Sequence, residues 1–231
     1  AVAIAFAREG ADVAFTYLGK LEEEDASDTA AWVEKAGRRA VRISADLRTA
    51  AACRRAVERA VDELGHLDVL VNNAAFQCEQ KRFEDLDAEQ VRRTFETNVF
   101  AYLFMAQAAV EHFEDGGVIL NTGSVTALDG SPTLLDYSAS KGAVHVLTKS
   151  LAKALSERGV RVNCIAPGPV WTPLIPATLD DEHVERFGAD TAWGRAAQPV
   201  EIAPSYVFLA SSEGSFYTGE VLAPTGRSTT R

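Results

Sequence analysis

Six short apolar runs, separated by helix-length amphipathic stretches, constrain this chain more than any other feature. The runs at 12–17, 40–45, 68–72, 118–122, 161–166 and 220–222 are rich in Val, Ile and Leu. They are strand-length and nearly continuous in their hydrophobicity, which marks strands covered on both faces. Between them lie segments with helical periodicity at 21–36, 49–64, 87–112, 136–157 and 199–210, and residues 1–9 read as the end of a further helix stopped by Gly10. Gly37 and Gly65 close two of the others. Parallel strands need crossovers of a dozen or more residues, which these helices supply. The pattern therefore predicts an α/β fold, a doubly wound parallel sheet in three α/β/α layers. With 231 residues, 47% of them hydrophobic, and no linker, repeat or low-complexity tract, residues 1–231 read as a single domain.

Charge and cysteine usage narrow the partners. A formal net charge of −10 argues against nucleic acid and against anionic membranes, because both select clustered Lys and Arg. The apolar run at 1–7 is too short to cross a membrane and lacks the basic residues of a signal peptide. Cys53, Cys78 and Cys164 are scattered and odd in number, as expected of reduced thiols in a cytoplasmic setting. His66, His112, His145 and His183 show no ligand spacing, so no metal is expected.

In a doubly wound sheet ligands bind beyond the carboxyl ends of the strands. The residues there are Asp46 and Leu47, then Asn72, Asn73, Ala74 and Ala75, then Ser124, then Pro167, Gly168 and Pro169. Following Ser124, Gly130, Ser131 and Pro132 turn the chain into a helix that places Tyr137 and Lys141 four residues apart on one face. A phenol beside an ammonium, with a hydroxyl arriving from the preceding strand, is suited to proton transfer. To act as a base near neutral pH, a free Tyr with a pKa near 10 must fall by roughly two to three units. An ammonium at about 5 Å in an effective dielectric near 20 supplies on the order of 3 kcal/mol towards that.

The motifs D-L at 46–47, N-N-A-A at 72–75, Asn98, Ser124, Y-S-A-S-K at 137–141 and P-G-P-V-W-T-P at 167–173 occur in an order that resembles the short-chain dehydrogenase/reductase family across nearly the whole chain. The resemblance implies a Rossmann-like fold and hydride transfer between NAD(P)(H) and a small-molecule alcohol or carbonyl substrate such as a sugar, polyol or ketone, usually in a homotetramer or homodimer. It assigns the acid/base role to Tyr137, the nicotinamide ribose hydroxyls to Lys141, the substrate oxygen to Ser124, and a relay water to Asn98. It further places Asp46 and Leu47 at the adenine, the Asn73–Ala75 backbone along the adenosine, and Pro167, Gly168, Val170 and Thr172 around the nicotinamide. Asp46 also suits capping of the following helix, Asn98 a packing role, and Asn72 the tying of neighbouring strands. The segment 174–198 reads as the lid that sets substrate choice. NAD and NADP remain open: Tyr17 stands where an NAD-selecting acid belongs, with Lys20 nearby.

The family's opening strand and its T-G-x-x-x-G-x-G turn, whose backbone N–H groups bind the pyrophosphate, are not found in residues 1–231. The expectation is an N-terminally truncated domain whose first strand is missing from the sheet centre, leaving an opening of about 9 to 10 Å and weak dinucleotide affinity. A catalytically silent binding or scaffolding domain of the same fold is the competing expectation, and a doubly wound domain without redox chemistry a third.

Overall fold

In the computed structural model, which describes residues 1–114, 116–179 and 181–227, each apolar run forms a strand. β1 (Val13–Tyr17) and β2 (Ala40–Ser44) pair in parallel, with Val13 opposite Ala40 and Tyr17 opposite Ser44. β3 (Val69–Asn72), β4 (Gly117–Thr122), β5 (Val160–Ile165) and β6 (Val221–Leu222) form a second parallel sheet in that order. Among the described residues no ladder joins β1 to β3, so β1–β2 and β3–β6 are two separate parallel sheets.

The crossovers are helical. α1 (Val2–Arg8), α2 (Glu23–Lys35) and α3 (Ala50–Leu64) fall within two residues of the sequence expectation. Thr49 caps α3 by accepting from the Ala52 N–H, and Gly65 ends it at a φ of 97°, a conformation that favours glycine. The stretch 87–112, read as one helix, is three pieces: α4 (Ala88–Phe95), a π-helical turn (Glu96–Phe100) and α5 (Ala101–Val110). Short α6 (Thr126–Asp129) occupies what read as loop, and α7 (Leu135–Leu155) is the long helix carrying Tyr137 and Lys141. The segment 174–198 contains α8 (Leu174–Thr178) and α9 (Asp181–Arg186), and α10 (Pro199–Ala210) starts with Pro at its first turn and a Gln198/Glu201 capping box.

Both faces of the larger sheet are covered, which explains the unbroken hydrophobicity of its strands. Leu70, Ile119 and Val162 pack with Ala106, Ala109 and Ala152 on the α5/α7 side. Val118, Leu120 and Ile165 pack with Ile202, Tyr206 and Leu209 on the α10 side. Ile119, Leu120, Val162 and Ile165 are completely buried, each worth about 1.5–3 kcal/mol relative to exposure. Register aligns the strand ends, with Asn72 opposite Asn121 and Asn121 opposite Cys164, so the residues beyond β3, β4 and β5 meet on one edge. No described helix is long and apolar enough to cross a membrane.

Candidate active site

The loop after β4 is fixed before any site residue is considered. Gly123 donates its N–H to the Ile165 carbonyl at 2.7 Å, and Val125 donates to the Pro167 carbonyl at 2.8 Å. A Cβ on Gly123 would collide with the His145 imidazole and the Cys164 sulfur, so only glycine fits this crossing. Ser124, buried, is thereby held in place. Its Oγ accepts from the Thr126 N–H at 3.1 Å and from the Thr126 hydroxyl at 3.0 Å, which leaves the serine proton for a third partner. That partner is the phenol of Tyr137, whose ionised form the Ser124 hydroxyl favours.

On α7 the four-residue spacing brings Lys141 under Tyr137, with Nζ 5.6 Å from the ring centre. Lys141 is completely buried. Nζ donates to the Thr122 carbonyl at 2.7 Å and to the Tyr102 hydroxyl at 3.4 Å, and it lies 5.3 Å from the Tyr102 ring centre. The electrostatics correct the expected shift of the phenol. Tyr137 keeps part of its surface open, yet its hydroxyl end is enclosed by protein, and burial pushes the phenol up to about 12 instead of lowering it. Burial likewise brings Lys141 down to about 8. For Tyr137 desolvation is the largest cause, and the Ser124 hydroxyl acts against it.

Asn98 lies in the π-helical turn, a local widening often found at functional sites. Its completely buried amide is fully engaged by protein: Nδ2 donates to the Phe76 carbonyl at 2.9 Å and to Ser140 Oγ at 3.0 Å, while Oδ1 accepts from the Phe76 N–H at 2.7 Å. Both amide protons are used, so its side chain pins the segment after β3 to α7. Asn72 ties strands, as its position suggested: Nδ2 donates to Asn121 Oδ1 at 2.9 Å and to the Tyr102 carbonyl at 3.3 Å.

The remaining expected contacts sit along the same edge. Asp46 does not cap α3, a role filled by Thr49; its carboxylate accepts from the Arg48 backbone at 3.1 Å and from the Arg48 guanidinium at 2.6–3.0 Å. Leu47 is half-buried, its carbonyl accepting from Cys53 Sγ at 3.1 Å. Asn73 and Ala74 are exposed beyond β3, Ala75 is half-buried, and Asn73 Oδ1 accepts from Thr122 Oγ1 at 3.2 Å. Pro167 accepts from Val125, and Gly168 donates to the Pro224 carbonyl at 3.2 Å. A Cβ on Gly168 would meet the Thr225 backbone, which gives that glycine a packing reason. Val170 bridges Ala197, and the Thr172 carbonyl accepts from Ile175 at 3.0 Å to open α8. Trp171 contacts Phe187 at 6.3 Å between ring centres.

The turn after β1 is not free of acid. Glu22 reaches back so that its Oε2 accepts from the Leu18 N–H at 2.6 Å, and Glu23 pairs with Arg42 at 2.9 Å. A carboxylate thus arrives from downstream at the place Tyr17 had seemed to leave without one. Tyr102, Thr122 and Tyr206 are further polar residues at the site that the motifs did not mark; Thr122 Oγ1 and the Tyr206 hydroxyl are 2.8 Å apart. The signal for Tyr102 was its spacing of four from Asn98, obscured by the apolar residues around it.

Among the described residues no group of His, Cys, Asp and Glu could hold a metal. The donor set does suit a nicotinamide nucleotide. Of the three protons on the Lys141 ammonium, protein oxygens take two, leaving one for a sugar hydroxyl beside the phenol.

A family profile described as Enoyl-(Acyl carrier protein) reductase matches residues 1–226. Glucose and ribitol dehydrogenase of Daucus carota is 47% identical over 225 residues, 96% of this chain and 77% of that protein. NADPH-dependent aldehyde reductase 1, chloroplastic, of Arabidopsis thaliana is 45% identical over 231 residues, 98% of this chain and 80% of that protein. Among solved structures, a short chain dehydrogenase from Burkholderia cenocepacia in complex with NADP superimposes with a TM-score of 0.89 at 35% identity, covering 97% of this chain and 91% of that one. The chain belongs to the short-chain dehydrogenase/reductase family, the oxidoreductases that interconvert alcohol and carbonyl groups with NAD(P)(H).

Proposed function

We propose that this protein interconverts an alcohol and a carbonyl on a sugar, polyol or small aldehyde or ketone, with Tyr137 transferring the proton at the substrate oxygen. The observation that carries the reading is the convergence of three side chains from two segments, Ser124 beyond β4 and Tyr137 and Lys141 on α7. The Ser124 hydroxyl favours the ionised Tyr137, and the Lys141 ammonium lies 5.6 Å from the same ring. The names of the plant relatives, a glucose and ribitol dehydrogenase and an aldehyde reductase, support the substrate class.

When bound, NAD(P)(H) supplies or takes up the hydride at the substrate carbon. Everything else falls to this chain. Tyr137, protonated at neutral pH, donates its proton as the carbonyl oxygen gains charge and recovers it when an alcohol is oxidised. With substrate bound, Ser124 would turn its one free proton from the Tyr137 phenol to the substrate oxygen and so orient it. Lys141 offers its remaining N–H to the nicotinamide ribose, and Asn98 holds the Phe76 backbone and Ser140 so that α7 keeps its place. Asp46 and Leu47 border the adenine, Asn73, Ala74 and Ala75 the adenosine, and Pro167, Gly168, Val170 and Thr172 the nicotinamide. Free Cys53, Cys78 and Cys164 support a reducing, cytoplasmic setting. Exposed Phe100, Leu103 and Val146 support a homotetramer or homodimer.

The test is a panel of polyols, sugars, aldehydes and ketones offered to the full chain with NAD(P)+ or NAD(P)H, read as absorbance at about 340 nm. Turnover of at least one hydroxylated substrate is expected. Cofactor binding without any turnover favours a silent binding domain and contradicts this reading.

A further inference from the structure

Of the groups around Lys141, one has no role in the reaction as described. Tyr102, on α5, is almost completely buried, and its hydroxyl accepts from the Lys141 ammonium at 3.4 Å while its ring lies 5.3 Å from the same Nζ. A buried ammonium is costly unless oxygen atoms and aromatic faces replace its water. Its partners are the Thr122 carbonyl, the Tyr102 hydroxyl and the rings of Tyr102 and Tyr137.

From its own helix Lys141 faces Tyr137 and His145, from β5 Cys164, and from α5 Tyr102, behind which Tyr206 of α10 acts on Tyr102. Burial keeps the Cys164 thiol up at about 11 and lowers His145, so both are neutral near pH 7. No carboxylate is among these groups. The backbone carbonyl of Thr122 is fixed by β4 and supplies one contact, which makes the Tyr102 hydroxyl the side-chain oxygen on which the charge depends.

We propose that Tyr102 is a positioning residue for Lys141, its hydroxyl and ring holding the buried ammonium charged beneath Tyr137. This rests on the function proposed above. Removing that oxygen lowers the proton affinity of Lys141, and a neutral amine no longer helps Tyr137 to ionise. The rate of alcohol oxidation then needs higher pH.

The experiment compares the full chain with Tyr102→Phe, which keeps the ring, and Tyr102→Met, which removes it; both lack that oxygen. The expected result is an acid limb of kcat/KM for alcohol oxidation displaced upward by about one pH unit, hence about 10-fold slower turnover at pH 7. In parallel, carbon-13 labelled lysine followed by NMR reports the Lys141 titration, which moves below that of the unsubstituted protein in both variants. A merely structural Tyr102 changes the melting temperature and leaves both readouts in place, and that outcome overturns the inference. If the unsubstituted protein shows no turnover, the functional reading fails, while the Lys141 titration still decides the role of Tyr102.

Discussion

Lys141 and Thr122 are joined at 2.7 Å, ammonium to carbonyl, so the charge at the centre of the site is anchored to the β4 backbone while Tyr137 lies above it. The consequence is a stability that depends on pH in a defined order. Lys141, with a pKa near 8 in the fold against a usual 10.5, binds its proton less tightly folded than unfolded. Stability therefore rises as pH climbs from about 8 towards 10.5, by up to about 3 kcal/mol from this group. Cys53 and Cys164, held up at about 11 from 9, act in the opposite sense from pH 9, and Tyr137, at about 12, from pH 10. Urea unfolding at half-unit intervals from pH 7 to 11 should show a maximum near pH 9, and Lys141→Met should lose the rising part.

Asn98 uses both amide protons and its carbonyl oxygen inside the protein. Asn98→Ala strands the Phe76 N–H and carbonyl and removes the bond that Ser140 Oγ accepts, at a cost of about 2–4 kcal/mol. Denaturant unfolding measures it. A loss below about 1 kcal/mol would show that the contacts to Phe76 are not what fixes this segment.

Gly168 allows the Thr225 backbone to approach where any Cβ would collide. Gly168→Ala must move the segment after β6 or the loop after β5, costing about 1–3 kcal/mol. The expected signature is a lower melting temperature together with a raised KM for cofactor, since Val170 and Thr172 follow directly.

Glu22 places a carboxylate against the Leu18 N–H at the end of β1. If the adenosine ribose binds there, Glu22→Gln removes repulsion from a 2′-phosphate and shifts relative affinity towards NADP by about 10-fold. Calorimetric titration with NAD+ and NADP+ checks this, and an unchanged ratio would place the ribose elsewhere.

The strands and most crossover helices were legible in the sequence because Val, Ile and Leu runs such as 118–122 have no other stable use in a chain covered on both faces. The site residues were legible through spacing: Tyr137 and Lys141 by a single helical turn, Ser124 by its place beyond a strand. What was not legible depends on long-range approach. The π-helical turn around Asn98 leaves the amphipathic pattern of Val91, Phe95, Val99 and Leu103 intact, so nothing local announced it. Glu22 reaches the end of β1 only because a short turn of 3-10 helix folds it back. The upward displacement of Tyr137 required knowing how much protein encloses its hydroxyl, which no spacing reveals.

The central claim is that Tyr137 moves the proton, and Tyr137→Phe in the full chain tests it most directly. With a substrate found by the screen, turnover followed at about 340 nm should fall by at least about 1,000-fold. The dissociation constant for cofactor should stay within about three-fold, since the ring and Lys141 remain. Turnover retained within about 10-fold of the unsubstituted protein would contradict the claim.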